Sequence, residues 1–243
     1  MGLQTLPVEQ SARSACTWTS YISRWASWGI PSVPGHDVPW VLDFVEPLQR
    51  RRLSPLAKAS LHVMHACAQA CTQLHIVYAS RHGELTRTTE LLNQMSVGEQ
   101  VSPTGFSLAV LNATAGLYSI ARNVQLPISA VSAGMHTWAM GWLEASLQAQ
   151  QAQCPVLFVY ADEPVPSVYG TLADPPVLHA VAALLHAQPQ EGGINWRSYW
   201  DGSGGDPGCA AVSCEPASFA WAAALHNGTV TGQHPCGWSW ERV

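Results

Sequence analysis

The stretch from Pro127 to Ala149 constrains the fold more than any other part of this sequence. A short apolar run, 128–131, meets a sharp turn at Ser132-Ala133-Gly134, and a long helical pattern follows. On that helix Met135, Trp138, Ala139, Trp142, Ala145 and Ala149 share one face. A short apolar run that turns tightly into a helix reads as a strand with its helix packed on the same sheet. Two indoles on the apolar stripe then need a cover, because an open face of that kind is an association site. Either the tryptophan-rich stretch between Trp196 and Trp240 supplies it, or a partner chain does.

The flanking sequence extends the same pattern. Ser54-Pro55 is a hydroxyl cap followed by proline at the first helical position. Leu56, Ala59, Val63, Ala66 and Ala70 form the stripe of the helix it starts. Residues 75–79 read as a buried strand, leading through Ser80-Arg81-His82-Gly83-Glu84 into helices over 85–95 and 106–120. A further strand covers 156–160 and closes in Ala161-Asp162-Glu163-Pro164, and 177–187 read as a last short helix. Prolines 7, 31, 34, 39 and 47 make the first 47 residues look like loops and short helices, while Gly192-Gly193, Gly202, Gly204-Gly205, Pro207 and Gly208 mark loose chain beyond Pro189. The element order implies an α/β fold with a mostly buried mixed sheet. Its expected organisation is an irregular segment over 1–50, a domain over 51–188, and a Gly/Trp-rich tail over 189–243.

Charge narrows the function classes. Only 11% of the residues are charged, against about a quarter in a typical soluble protein, so part of the surface is expected to be buried against another chain. A net charge of −5 offers no field for nucleic acid. The one dense basic cluster is Arg50-Arg51-Arg52 with Lys58, either a solvated loop or a docking spot for an acidic partner such as an acyl carrier protein. There is no secretory apolar core at the N-terminus and no apolar run near the roughly 18 residues that span a bilayer. The expectation is a cytoplasmic chain whose seven cysteines are reduced thiols. No cofactor or metal is expected. His62 and His65 point away from Cys67 and Cys71 on a helix, and Cys209, Cys214, His226, His234 and Cys236 match no common zinc spacing.

From Arg51 to about Leu185 the chain resembles the β-ketoacyl synthase-like N-terminal domain family. The blocks that carry the resemblance are Arg52-Leu53-Ser54-Pro55-Leu56-Ala57, Ala79-Ser80-Arg81-His82-Gly83-Glu84, Ser102-Pro103-Thr104-Gly105-Phe106-Ser107-Leu108 and Asn112-Ala113-Thr114-Ala115-Gly116-Leu117. The turn at Ala133-Gly134, Leu143-Glu144-Ala145 and the closing Gly237-Trp238-Ser239-Trp240-Glu241-Arg242 belong with them. The resemblance implies a truncated thiolase-like fold, its pattern stopping near Leu185 with too few residues left for the second half. In condensing members a cysteine opens the helix after the strand corresponding to 128–131, where the helix N-terminus favours the thiolate. Counting back from Gly141 puts that position on Ala133. The resemblance therefore implies a non-condensing, chain-length-factor-like subunit that forms a heterodimer with a ketosynthase and meets the acyl carrier protein only indirectly. The members concerned act in aryl-polyene type II pathways, and their dimers pair through the strand before the nucleophile turn. Arg81, His82, Glu84, Asn112, Gly134, His136 and Trp138 become candidates to line an acyl tunnel or the interface.

Two other readings compete. Ala130-Val131-Ser132-Ala133-Gly134 is similar to a nucleophile elbow, which would make Ser132 the nucleophile of a hydrolase or thioesterase. Asp162 with His179, His226 or His234 would complete a Ser–Asp–His order. Alternatively the chain is an independent 3-oxoacyl-carrier-protein synthase using a cysteine elsewhere.

Overall fold

In the computed structural model, residues 16–35, 37–170, 177–200, 216–234 and 237–243 are described. Eight strands form one mixed sheet in the order β3-β2-β4-β5-β1-β6-β8-β7. They are β1 (Cys16–Trp28), β2 (His75–Ala79), β3 (Ile128–Val131), β4 (Val156–Asp162), β5 (His179–His186), β6 (Ile194–Trp200), β7 (Thr231–His234) and β8 (Trp238–Arg242). Strands β3, β2 and β4 run parallel, and every pairing from β4 outward to β7 is antiparallel. Strands from all three stretches, 1–50, 51–188 and 189–243, thus share one sheet. The helices are α1 (Pro47–Arg50), α2 (Pro55–Ala68), α3 (Leu85–Ser96), α4 (Pro103–Ser107), α5 (Ala113–Arg122), α6 (Thr137–Ala152) and α7 (Ala217–Asn227).

Helices cover both faces of the central strands. Val77 and Ala79, Phe158 and Tyr160, and Val181, Ala183 and Leu185 join one core with α6 and α7. Their alternates, Ile76 and Tyr78, Leu157 and Val159, and Ala180, Ala182 and Leu184, join the other core with α2 and α5. The Ser54 hydroxyl caps α2 by accepting from the Ala57 amide at 2.9 Å, as its sequence implies.

Four expectations need correction. The 177–187 stretch is strand β5, not a helix. Both of its faces are covered, so it is apolar all round and carries no period-2 signal. Residues 16–28, expected as loop, form β1, in which Trp18, Ser20 and Ile22 point inward at alternate positions. The chain beyond Pro189 is ordered where described, and it supplies β6, α7, β7 and β8. The 106–120 helix is two helices: α4, capped by the Ser102 hydroxyl, ends at Ser107, and α5 starts after Asn112. The intervening turn lets Leu111 pack at Gly83, whose φ of +58° is left-handed.

The cover over α6 comes from the chain itself. Trp138 stacks on Trp142 at 6.1 Å and meets Trp221 at 5.3 Å and Trp238 at 5.8 Å. Trp138 is 3% exposed and packs in this aromatic core. Among the described residues no helix is long and apolar enough to cross a membrane.

Candidate functional site

Loops leave the carboxyl ends of β2, β3 and β4 side by side, which is where open α/β sheets present their working residues. Asp162 ends β4 and is buried. Its carboxylate accepts from the Ser80 hydroxyl at 2.8 Å, the Arg81 amide at 3.0 Å and the His82 amide at 3.3 Å. Ser80 Oγ in turn accepts from the Gly83 amide at 2.8 Å. A buried carboxylate holding this many donors locks a loop, since charge-assisted bonds are about twice as strong as neutral ones. The backbone amides of Arg81 and His82 are thus part of what holds this loop.

Glu84 has partners of its own. It accepts from Ser54 Oγ at 2.7 Å and lies 3.5 Å from Arg87 Nε, so it joins the cap of α2 to α3. Burial holds its carboxyl above the ordinary range, against the pull of Ser54 and Arg87. Asn112 is exposed at the start of α5, and its side chain makes no capping bond.

The turn after β3 closes on a hydroxyl. The Ala133 amide donates to Thr137 Oγ1 at 2.9 Å, and that hydroxyl donates to the Gly134 carbonyl at 2.7 Å. Gly134 adopts φ +57°, and His136 is half-buried, 6.1 Å from the Trp200 ring. At the head of this turn the chain presents the methyl group of Ala133. The described thiols lie elsewhere. Cys154 sits beyond the far end of α6, whose 16 residues span about 24 Å. Cys67 is buried and donates to the Ala182 carbonyl.

The fold sets Asp162 opposite His179 across β4 and β5, and it bonds Ser132, Asp162 and His179 each to other groups. Ser132 Oγ donates to the Arg81 carbonyl at 3.0 Å, while Asp162 holds the 80–82 loop. His179 Nε2 meets Ser218 Oγ at 2.9 Å, and its Nδ1 faces the Val177 carbonyl at 3.2 Å. His226 is exposed on the last turn of α7. His234 is on β7, the opposite edge of the sheet from β3, on the order of 30 Å away at about 4.8 Å per strand.

The two histidines of α2 have separate partners. His62 Nδ1 accepts from the Val41 amide at 3.0 Å, and His65 stacks on Phe44 at 4.4 Å. Among the described residues no three such side chains could hold a metal ion. Cys209, Cys214 and Cys236 lie outside the described residues. In the basic cluster, Arg50 donates to the Val45 carbonyl at 3.1 Å, while Arg51 and Arg52 are exposed. Arg50 and Arg51 line an open hollow of about 350 Å³ with Trp40, Leu42 and Lys58, whose ammonium lies 5.6 Å over the Trp40 ring.

One buried and three partly buried histidines are expected to make the fold acid-sensitive. Burial lowers the proton affinity of His62, His65, His179 and His186 below the ordinary value of 6.5. The unfolded chain therefore binds more protons once the pH drops below that value, and stability present above it is lost on acidification. Glu84 and Glu163 act in the opposite sense, because their folded forms hold protons more tightly than the unfolded chain. The histidines' ordinary value of 6.5 lies inside the window whereas the carboxyls' 4.5 lies below it, so Tm is expected to fall between about pH 7.5 and about pH 5.5. Calorimetry would check this, with a shallower slope expected for His179→Gln and a flat profile counting against it.

Residues 24–241 match the family model described as β-ketoacyl synthase, N-terminal domain. No curated protein matches the sequence. Among solved structures the chain is similar to one from Xenorhabdus doucetiae, a ketosynthase (ApeO) in complex with its chain length factor (ApeC). The TM-score is 0.72 at 25% identity, covering 93% of this chain and 100% of that one. A β-ketoacyl synthase from Burkholderia phymatum matches at a TM-score of 0.49 and 13% identity, covering 66% of this chain and 50% of that one.

Proposed function

This chain belongs to the β-ketoacyl synthase family through its N-terminal domain, and from that premise we propose that it is a non-condensing, chain-length-factor-like subunit that pairs with a ketosynthase. The pathway it serves is type II fatty-acid or polyketide synthesis of the aryl-polyene kind. The observation that carries the reading is the methyl group of Ala133 at the turn after β3. Condensation of this class needs a thiolate there to hold the acyl chain, and an alanine has no nucleophile to offer. The likeness to a ketosynthase–chain length factor complex supports the same reading. Strand β3 suits the pairing, since among the described residues it is an edge of the sheet. The carrier protein then meets the complex, and the ketosynthase supplies the chemistry.

Co-expression with a condensing ketosynthase from the same genome is the test. A stable heterodimer is expected, with condensing activity unchanged by Ser132→Ala. Labelling of Ser132 by a fluorophosphonate probe, or condensation by the isolated chain, would overturn the reading.

A further inference from the structure

Two of the sequence blocks that carry the family resemblance, 52–57 and 102–108, have no task in the proposed role, yet the fold brings them together. Arg52 from the first block and Ser102, Thr104, Gly105 and Leu108 from the second line one hollow of about 290 Å³, and Arg87 of α3 completes it. None of these six side chains is acidic. Cations are scarce in this protein, with 11 Lys and Arg in 243 residues. Two of them line a single hollow.

We infer that this hollow is a phosphate-binding site, with the guanidinium groups of Arg52 and Arg87 as its principal donors. Arg87 is fixed in place rather than loose on the surface. Its Nη2 donates to the Arg52 carbonyl at 2.9 Å and its Nε lies 3.5 Å from Glu84. A guanidinium carries five N–H donors in a rigid fork, so two anchored positions still leave donors for a ligand. Arg52 is exposed, and the bond to Arg87 uses its carbonyl rather than its side chain. Ser102 Oγ accepts from the Gly105 amide at 3.3 Å, which leaves the hydroxyl proton available to donate. Thr104 brings a second hydroxyl, and Leu108 an apolar wall.

Two forks and two hydroxyls offer more donors than the two oxygens of a carboxylate can accept, whereas a phosphate presents three or four oxygens. Holding two guanidiniums at one hollow is also repulsive until an anion sits between them. Glu84 offsets one positive charge from behind Arg87, leaving a net attraction for the ligand. The phosphate would come either from a small phosphorylated metabolite or from the phosphorylated arm of a pantetheine carrier.

Calorimetric titration of the whole chain at constant ionic strength separates these cases, with inorganic phosphate in one arm and 4′-phosphopantetheine in the other. Saturable one-to-one binding is expected in at least one arm. Binding in the first arm assigns the site to small phosphates, and binding in the second alone assigns it to the carrier arm. Arg52→Gln should weaken binding about tenfold or more, since it removes charge-assisted hydrogen bonds. Arg51→Gln makes the same change in charge one residue away and should change affinity less than twofold. Thr104→Val should weaken it severalfold. No saturable binding in either arm would overturn the inference, as would equal losses from Arg51→Gln and Arg52→Gln, which would mean diffuse surface attraction. None of these measurements involves a ketosynthase, so failure here leaves the proposed pairing untouched.

Discussion

Truncating Trp142 to alanine is expected to lower the unfolding free energy by about 3–5 kcal/mol, the range for removing a large aromatic side chain from a packed core. Trp142 is completely buried. Its ring meets Phe158 of β4 edge-on at 5.3 Å, Trp221 of α7 at 5.5 Å, and Trp138 on its own helix at 6.1 Å. Such aromatic pairs add about 0.5–1.5 kcal/mol each beyond the area they bury. Relaxation cannot recover much of the loss. The neighbouring Gly141 already brings α6 hard against the sheet, for a Cβ there would lie 2.7 Å from Ala79 Cβ and 3.0 Å from Phe158. With no room for the helix to move inward, the cavity stays open and the cost falls toward the top of the range. Chemical denaturation measures it. Leu147→Ala on the exposed face of the same helix is the control, expected to change stability by less than about 0.5 kcal/mol. A Trp142→Ala loss no larger than that control would mean that α7 and β8 do not hold α6 down.

What could be read in advance follows from which physical signals are local. Strands β2 and β3 and the cap of α2 were legible because each carries its own marker: an apolar run bounded by turns, or a hydroxyl before a proline. Strand β5 was not. Ala180 to Leu185 are buried by helices on both faces, so neither period 2 nor period 3.6 survives, and its alanines favour a helix when read alone. Strand β1 has the alternation Trp18, Ser20, Ile22, but few aliphatic residues and a run of prolines after it. The turn at Ser132-Ala133-Gly134 could be placed from sequence, whereas its closure by Thr137 could not. Asp162 stood out as the residue after a strand, yet two of its partners are backbone amides, which leave no trace in side-chain identity. Arg52 and Arg87 are 35 positions apart, and only the packing of α3 beside the start of α2 puts them at one hollow.

Pairing through β3 predicts that a single proline separates assembly from folding. The Ile76 amide donates to the Pro127 carbonyl and the Ser80 amide to the Val131 carbonyl. In a parallel ladder that parity turns the Ser129 and Val131 amides inward to β2, and it leaves those of Ile128 and Ala130 on the free edge. Ala130 is exposed there. Ala130→Pro removes one outward donor without touching the inner ladder, a placement proline tolerates in edge strands. The ring also occupies space that a partner strand about 4.8 Å away must enter. A lost hydrogen bond of about 1 kcal/mol and a clash of about 2 kcal/mol together amount to roughly a hundredfold loss of affinity for the ketosynthase. Tm of the isolated Ala130→Pro chain should stay within a few degrees of the parent. Ser129→Pro, one residue earlier, should instead break the β2–β3 ladder and unfold the edge, so its loss of binding would come with a loss of stability. Size-exclusion chromatography of the co-expressed pair, beside thermal melting of each variant alone, separates the two effects. An Ala130→Pro chain that still co-elutes with its partner at parent affinity would sink β3 as the interface, because backbone pairing across that edge must weaken with the substitution.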